Sequence, residues 1–207
     1  MGKVVEESSF TAVMPWLFLR QQAGINVEYR MAVYRYQAAA AGLLFVATLI
    51  LFQRQARLKT MASGDIALVF LSLYGGTQVF LESLRDDGHM LLIFLRVAQV
   101  AAALLPLCAS AVFAKRCLRL KILSRRRAVC VWLALFLSVT GLVLLEFSLD
   151  GRLAWGAPSM GRDYALMALL CGALAALPCS LCHALSRAGG KEKGLPVSAG
   201  ASQEGPE

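Results

Sequence analysis

The sequence predicts an all-α, polytopic integral membrane protein with about five transmembrane helices. Of its 207 residues, 58% are hydrophobic and only 16% are charged, whereas a soluble domain carries charge on about a quarter of its residues. Several apolar runs also reach the ~20 residues that a helix needs to cross a bilayer. The net charge of +8 lies in short loops and tails, so we expect contact with anionic lipid and no nucleic-acid partner.

Five spans follow one another along the chain. They are predicted from Met31 to Phe52, Asp65 to Glu82, Met90 to Phe113, Ala128 to Phe147 and Tyr164 to Leu185. Residues 1–30 form a polar, interfacial lead-in, because their one apolar piece is too short to span and is followed by no signal-peptide cleavage site. Residues 31–114 form a three-helix region and residues 128–187 hold two further helices. Residues 188–207 are expected to be a disordered tail.

Positive charge lies in alternate loops. The first loop, the basic third loop (residues 115–127) and the tail are rich in Lys and Arg, whereas the second loop, Arg85-Asp86-Asp87, has no positive excess. The positive-inside rule therefore predicts an outside N-terminus, a cytoplasmic C-terminus and an outside location for the end of the second span. We read the third loop as a topology signal, and a polybasic patch for anionic lipid is the alternative.

The second span ends in a polar stripe. Tyr74, Gln78, Glu82 and Arg85 follow spacings of four, four and three residues, so they share one helix face. A polar stripe on a membrane helix is costly unless it faces protein or water. The stripe therefore predicts a polar site near one membrane surface, where helices meet.

Arg96 is the most informative cation, because it lies about six residues, or ~9 Å, inside the predicted third span. A cation at that depth needs a partner. We expect Glu82 and Arg96 to form a pair across the second and third helices, with Arg85 at the mouth above them. Glu146 is expected to reach the interface, with an extension of the site as the alternative, and Cys179-x-x-Cys182-His183 is read as small packing residues, not as a metal or redox site.

The stretch from about Val33 to Phe113 resembles the C-terminal half of prolipoprotein diacylglyceryl transferases. Three pieces carry the resemblance in order: Tyr36-Gln37, where the family tends to show Tyr-Glu; Tyr74-Gly75 leading to Phe80-x-Glu82-x-x-Arg85-x-Asp87; and Gln99 after the small residue Ala98. The resemblance implies Glu82 and Arg85 as catalytic residues. Together with the membrane argument, it implies lipid contacts for a second set: Arg96, Gln78, Tyr74, Gln99, Tyr36 and Gln37.

The resemblance also implies an activity, in the bacterial cytoplasmic membrane. Family members move diacylglycerol from phosphatidylglycerol to a lipoprotein cysteine, and glycerol phosphate leaves. Arginine suits the departing phosphate, because a guanidinium stays ionised and offers a bidentate fork. The expected partners are phosphatidylglycerol or another anionic lipid and a prolipoprotein, with no cofactor and no metal, since no nucleotide loop or metal cluster can be read.

The departures from the family open a second hypothesis. Gln78 stands where the family has an arginine, Gln37 stands where it has a glutamate, and the family's upstream Gly-Arg-x-Gly-Asn-Phe-type signature is not found before Met31. A paired loss of one Glu and one Arg leaves no orphan charge in the membrane. The chain is then either a transferase acting on phosphatidylglycerol, alone or with a partner membrane protein that supplies the missing half, or a non-catalytic paralog that binds lipid or another membrane protein.

Overall fold

Five long apolar helices form the body of the protein. The computed structural model describes residues 3–5, 15–23, 26–58, 61–85, 91–92, 95–149 and 160–193. The helices are α1 (Val33–Leu58), α2 (Asp65–Ser83), α3 (Val97–Arg119), α4 (Arg125–Leu149) and α5 (Met160–Lys193). All five contain a segment long and apolar enough to cross a membrane. The prediction of an all-α polytopic membrane protein with about five spans is confirmed.

The predicted start of the third span is wrong. The short strand β4 (Leu91–Leu92) pairs antiparallel with β5 (Leu95–Arg96), and α3 begins only at Val97. The reason is physical: the run from Met90 to Leu95 is continuously apolar, and hydropathy alone does not separate a short buried strand from a helix turn. Arg96 therefore lies at the N-terminal end of α3 and not inside a span.

The lead-in carries a small sheet that the sequence did not predict. Its order is β1 (Val4–Val5), β3 (Asn26–Met31), β2 (Phe18–Ala23), with both pairings antiparallel. The backbone N–H of Lys3 donates to the Leu84 carbonyl at 3.0 Å, and that of Ala32 donates to the Leu17 carbonyl at 2.9 Å. The sheet is thereby fixed to the C-terminal end of α2 and the beginning of α1.

Helix packing depends on two adjacent glycines of α2. A Cβ on Gly75 would lie 2.5 Å from the Ala102 carbonyl oxygen of α3, and one on Gly76 would lie 2.9 Å from the Cys171 carbonyl oxygen of α5. The glycines therefore let α2 approach α3 and α5 closely, which is the common use of small residues in membranes. Helix α1 lies at the edge of this bundle, and Val33 is its buried residue.

The antiparallel helices give the bundle two ends, which differ in charge. The Glu82 end holds the end of α2, the beginning of α3, the end of α4 and the beginning of α5, with the sheet beside them. The basic end holds the beginning of α2, the end of α3, the turn at residues 120–124, the beginning of α4 and the last turns of α5. There the Arg116 guanidinium donates to the Asp65 carboxylate, whose side chain is only 5% exposed.

The structure describes only part of the lead-in and of the predicted C-terminal tail. Helix α5 continues to Lys193, so residues 188–193 are helical where the sequence was read as tail. Residues 194–207 lie outside the described residues, and so does His89. Trp16 is 53% exposed in a short turn, Pro15–Leu17, beside the sheet.

Candidate lipid site at the Glu82 end

The Glu82 carboxylate lies at the last turn of α2 and pairs with Arg85. The Arg85 Nη1 donates to Glu82 Oε1 at 3.3 Å, which is the i, i+3 contact that the stripe predicts. Residue Glu82 is 7% exposed, whereas the Arg85 side chain is 26% exposed. The arrangement holds a guanidinium at the edge of the protein with a buried carboxylate behind it.

Arg96 contacts Glu82, but not through the carboxylate. Its Nη1 donates to the backbone carbonyl of Glu82 and its Nη2 to that of Arg85. The last carbonyls of a helix have no partner within the helix, and they attract cations. Arg96 therefore caps the C-terminus of α2 from the beginning of α3, and the expected Glu82–Arg96 ion pair is wrong.

Gln37 and Gln78 lie together between α1 and α2. The Gln37 Nε2 donates to Gln78 Oε1 at 3.4 Å. These are the two positions where the resemblance expected a glutamate and an arginine. The structure thus brings together the two neutral residues that the sequence suggested had changed as a pair.

Gln99, in the first turn of α3, contacts both α2 and α4. Its Nε2 donates to the Val79 carbonyl at 3.4 Å and to Glu146 Oε2 at 3.3 Å, and both residues Gln99 and Glu146 are 6% exposed. The expectation that Glu146 reaches the interface is wrong. The buried positions of α4 include Leu135, Ser138, Leu142 and Glu146, whose spacings of three, four and four form one stripe. That spacing was the signal that would have placed Glu146 in the protein interior.

An apolar cavity adjoins Gln99. It has a volume of about 180 Å³ and is lined from α2, α3 and α4. Gln99 is the polar member of its lining, which otherwise consists of aliphatic residues: Val79, Val100, Ala103, Leu104, Leu107, Val139, Leu142 and Val143. Such a cavity suits a hydrocarbon chain.

The two tyrosines divide between the site and the bundle interior. Tyr36 packs near the Glu82 end, against the buried cluster of Val33, Leu81 and Leu84. Tyr74 stacks on Phe70 with ring centroids 5.9 Å apart. It lies eight residues before Glu82, or ~12 Å along the helix axis. Tyr74 is therefore the candidate that the structure does not bring to the site.

A second acidic group at this end was missed. The Asp163 carboxylate, at the beginning of α5, accepts hydrogen bonds from Ser148 Oγ at 3.4 Å and from Arg162 Nε at 3.3 Å. The residue is 4% exposed. Its position right after an arginine suggested a solvated loop, and only the tertiary structure shows that Asp163 ties α5 to the end of α4.

The cysteines behave as packing residues in the structure. Cys117 and Cys182 belong to a buried cluster with Val69, Phe113 and Leu181 at the basic end. The Cys117 Sγ lies 3.8 Å from the Leu181 carbonyl oxygen. Among the described residues, no group of three or more His, Cys, Asp or Glu side chains is placed to hold a metal ion.

Comparisons with known proteins found similarity in the part of the chain that contains the Glu82 end. The family model for prolipoprotein diacylglyceryl transferase matches residues 3–115, so the similarity begins in the sheet, about thirty residues before Val33. A phosphatidylglycerol–prolipoprotein diacylglyceryl transferase of Bacillus licheniformis is 34% identical over 99 residues, which cover 48% of this chain and 35% of the relative. The chain thus spans about a third of the length of the curated relative it matches.

No solved structure matches the chain. The matched residues contain the sheet, α1, α2 and most of α3, and with them all the predicted site residues, whereas α4 and α5 lie beyond them. Because the family model covers more than half of the sequence, the chain belongs to the prolipoprotein diacylglyceryl transferase family.

Proposed function

We propose that the Glu82 end binds phosphatidylglycerol and that the chain takes part in transfer of the diacylglyceryl group to a lipoprotein cysteine. The observation that carries this proposal is the meeting of Glu82, Arg85, Arg96 and Gln99 at one end of the bundle, all within the residues that match the family. The adjoining apolar cavity offers room for part of an acyl chain.

The contacts of each residue suggest its role in the transfer. Arg85 is the exposed cation and would hold the phosphate, whose charge grows as glycerol phosphate departs. A donor of this kind contributes about 3–4 kcal/mol to catalysis. Glu82 orients Arg85, and Arg96 holds the carbonyls at the end of α2, which positions both. In the transfer, the cysteine reacts as its thiolate, with its proton released to solvent. The sulfur bonds to the glycerol carbon while the carbon–oxygen bond to phosphate breaks, and the departing oxygen keeps the electron pair.

The Gln37–Gln78 contact supports a compensated change at this site. An amide pair and a Glu–Arg pair carry the same net charge of zero, so the exchange leaves no buried charge without a partner. The exchange also removes one arginine from the region that would meet the phosphate. We therefore expect a weak catalyst when the chain acts alone.

An assay with purified components tests this activity. The chain, phosphatidylglycerol vesicles and a lipobox peptide should give turnover well below the ~1 s⁻¹ of ordinary enzymes. Expression in a strain depleted of its own transferase tests the function in cells, with an Arg85→Gln variant as the control. Full-speed turnover by the purified chain would contradict the expected weakness, and rescue of the strain by the Arg85→Gln variant would contradict the assigned site.

The contacts of Arg96 favour one alternative, a non-catalytic lipid-binding paralog. Both of its terminal nitrogens are engaged by backbone carbonyls, which leaves Arg96 a structural role. This alternative predicts phosphatidylglycerol binding without any transfer, even when membranes containing candidate partner proteins are added. Transfer that appears with such a partner would instead support the split transferase, in which another membrane protein supplies the missing half.

By the positive-inside rule, we expect the Glu82 end to face the outside of the bacterial cytoplasmic membrane and the basic end to face the cytoplasm. Cations are abundant in residues 115–127, whereas Arg162 at the Glu82 end is balanced by Asp163. The N-terminus is then outside and the C-terminus cytoplasmic. A C-terminal tag that reacts with a membrane-impermeant reagent in intact cells would contradict this orientation.

A further inference from the structure

The basic end contains a cleft that the family resemblance does not explain. It lies between the beginning of α4 and the last turns of α5, in residues beyond the family match, and has an open volume of about 830 Å³. Its polar lining consists of Arg127, Ser180, His183 and Arg187, and Ile122, Ala184 and Ala188 supply the apolar lining. Among the side chains that the structure describes, no carboxylate belongs to this lining.

Acidic groups are scarce around the cleft. Asp65, an acid of this end, is already engaged by Arg116. The neighbouring cations are instead exposed: Lys115, Arg119, Lys121, Arg125, Arg126, Arg127 and Arg187. Among the described side chains, the basic end therefore carries a large positive excess that attracts anions.

The first turn of α4 carries charges of the unfavourable sign for a helix N-terminus. A helix N-terminus carries partial positive charge and favours acidic residues, yet α4 begins with Arg125-Arg126-Arg127 and has no acid in its first turn. Ser124 nevertheless holds this turn in place, because its carbonyl accepts from the Ala128 N–H at 3.0 Å. An anion bound beside Arg127 would relieve the repulsion among these charges.

From these observations we propose a second lipid site, in which the cleft binds the phosphate headgroup of an anionic membrane lipid. Basic pockets between transmembrane helices recognise such headgroups. The bilayer supplies the occupant, since α4 exposes Val129, Trp132 and Leu133 just beyond the cleft. Arg127 and Arg187 would hold the phosphate, Ser180 and His183 would offer further hydrogen bonds, and the acyl chains would lie along α4. This site is independent of the function proposed for the Glu82 end.

Lipid titration of the full chain tests the site. Dioleoyl phosphatidic acid is added to purified protein in detergent, and retained lipid is measured by native mass spectrometry. Every protein carries Arg85→Gln, so that the Glu82 end affects all samples equally. The pair Arg127→Gln/Arg187→Gln should weaken retention about tenfold or more, because two charge-assisted contacts are lost.

A matched control removes two arginines from the first turn of α4, the same number of charges as the test pair. Arg125→Gln/Arg126→Gln should weaken retention by no more than about twofold, because neither side chain lines the cleft. Equal weakening by both pairs would show a diffuse field and overturn the proposal. Binding of inorganic phosphate without any retention of dioleoyl phosphatidic acid would assign the cleft to free phosphate and likewise overturn it. Ser180→Glu leaves all arginines in place and should reproduce the loss, and unchanged retention would count against the site.

Discussion

The two ends of the bundle handle their charges in opposite ways. At the Glu82 end, Arg85 pairs with Glu82, Arg96 with backbone carbonyls and Arg162 with Asp163. At the basic end, Asp65 engages Arg116 while most other arginines and lysines are exposed. The Glu82 end is thus built from polar groups that fix one another, which is what a site for chemistry needs. The exposed cations of the basic end instead attract anions from the surroundings.

The largest effect is expected where a buried carboxylate would lose its cation. Arg116→Leu should lower the free energy of unfolding by about 3–5 kcal/mol, because the Asp65 carboxylate stays buried without its partner. Asp65→Asn together with Arg116→Leu should recover part of this loss. Thermal unfolding in detergent measures both, and Arg119→Leu, on the exposed side of the same turn, is the control with little effect. A loss equal to that of the control would mean that the pair contributes nothing.

Removing the cap of α2 should rank second. Arg96→Leu should cost about 2 kcal/mol, since two hydrogen bonds from a charged group are lost at a partly exposed position. Because Arg96 contacts the backbone of Glu82, the effects of Arg96→Leu and Glu82→Gln should add within about 0.5 kcal/mol. A double variant that is clearly more stable than the sum of the two single changes would restore the ion pair that the structure replaces with a cap.

The amide pair offers a test of compensation. Gln78→Arg alone should destabilise the protein by about 2 kcal/mol, because it places a charge between α1 and α2. Adding Gln37→Glu should recover most of that loss and, on the proposed function, raise transfer activity. A double variant no more stable than Gln78→Arg would show that the two positions do not share one environment.

Arg85 should have the smallest effect on stability. Its pair with Glu82 is a local i, i+3 contact within one helix, and glutamine keeps an N–H donor at that position, so Arg85→Gln should change the free energy of unfolding by no more than about 1 kcal/mol. Binding of phosphatidylglycerol should nevertheless fall about tenfold, because a charge-assisted contact is lost. A large loss of stability with unchanged lipid binding would make Arg85 a structural residue.

Hydrophobic runs and charge spacing predicted much of this molecule. The end of α2 and its Glu82–Arg85 contact follow directly from the three-residue spacing on one helix. The start of α3 did not, because Leu91 to Leu95 is as apolar as a membrane helix and holds none of the Gly, Pro, Asn or Asp residues that mark a hairpin such as β4–β5. The sequence correctly predicted that Arg96 lies beside Glu82. The contact is made with the backbone carbonyl of Glu82, however, and not with its carboxylate.

Contacts between residues that are far apart in the sequence could not be predicted from local sequence patterns. Glu146 meets Gln99 across 47 positions of sequence, and Asp163 meets Ser148 across 15. Glu146 was expected to reach the interface, since a single carboxylate near a helix end usually reaches water, and Asp163 fell just outside the predicted fifth span. The N-terminal sheet was missed because its strands are short and β1 pairs with β3 far along the chain, with Val4 opposite Arg30.

Photochemical labelling tests the central claim, that the Glu82 end binds the phosphatidylglycerol headgroup. The purified chain is reconstituted with phosphatidylglycerol that carries a photoreactive headgroup, and labelled peptides are mapped by mass spectrometry. We predict label in residues 74–99 of the native chain that is lost in Arg85→Gln but kept in Arg127→Gln/Arg187→Gln. Label confined to residues 115–127 and 180–188, unaffected by Arg85→Gln, would contradict the account.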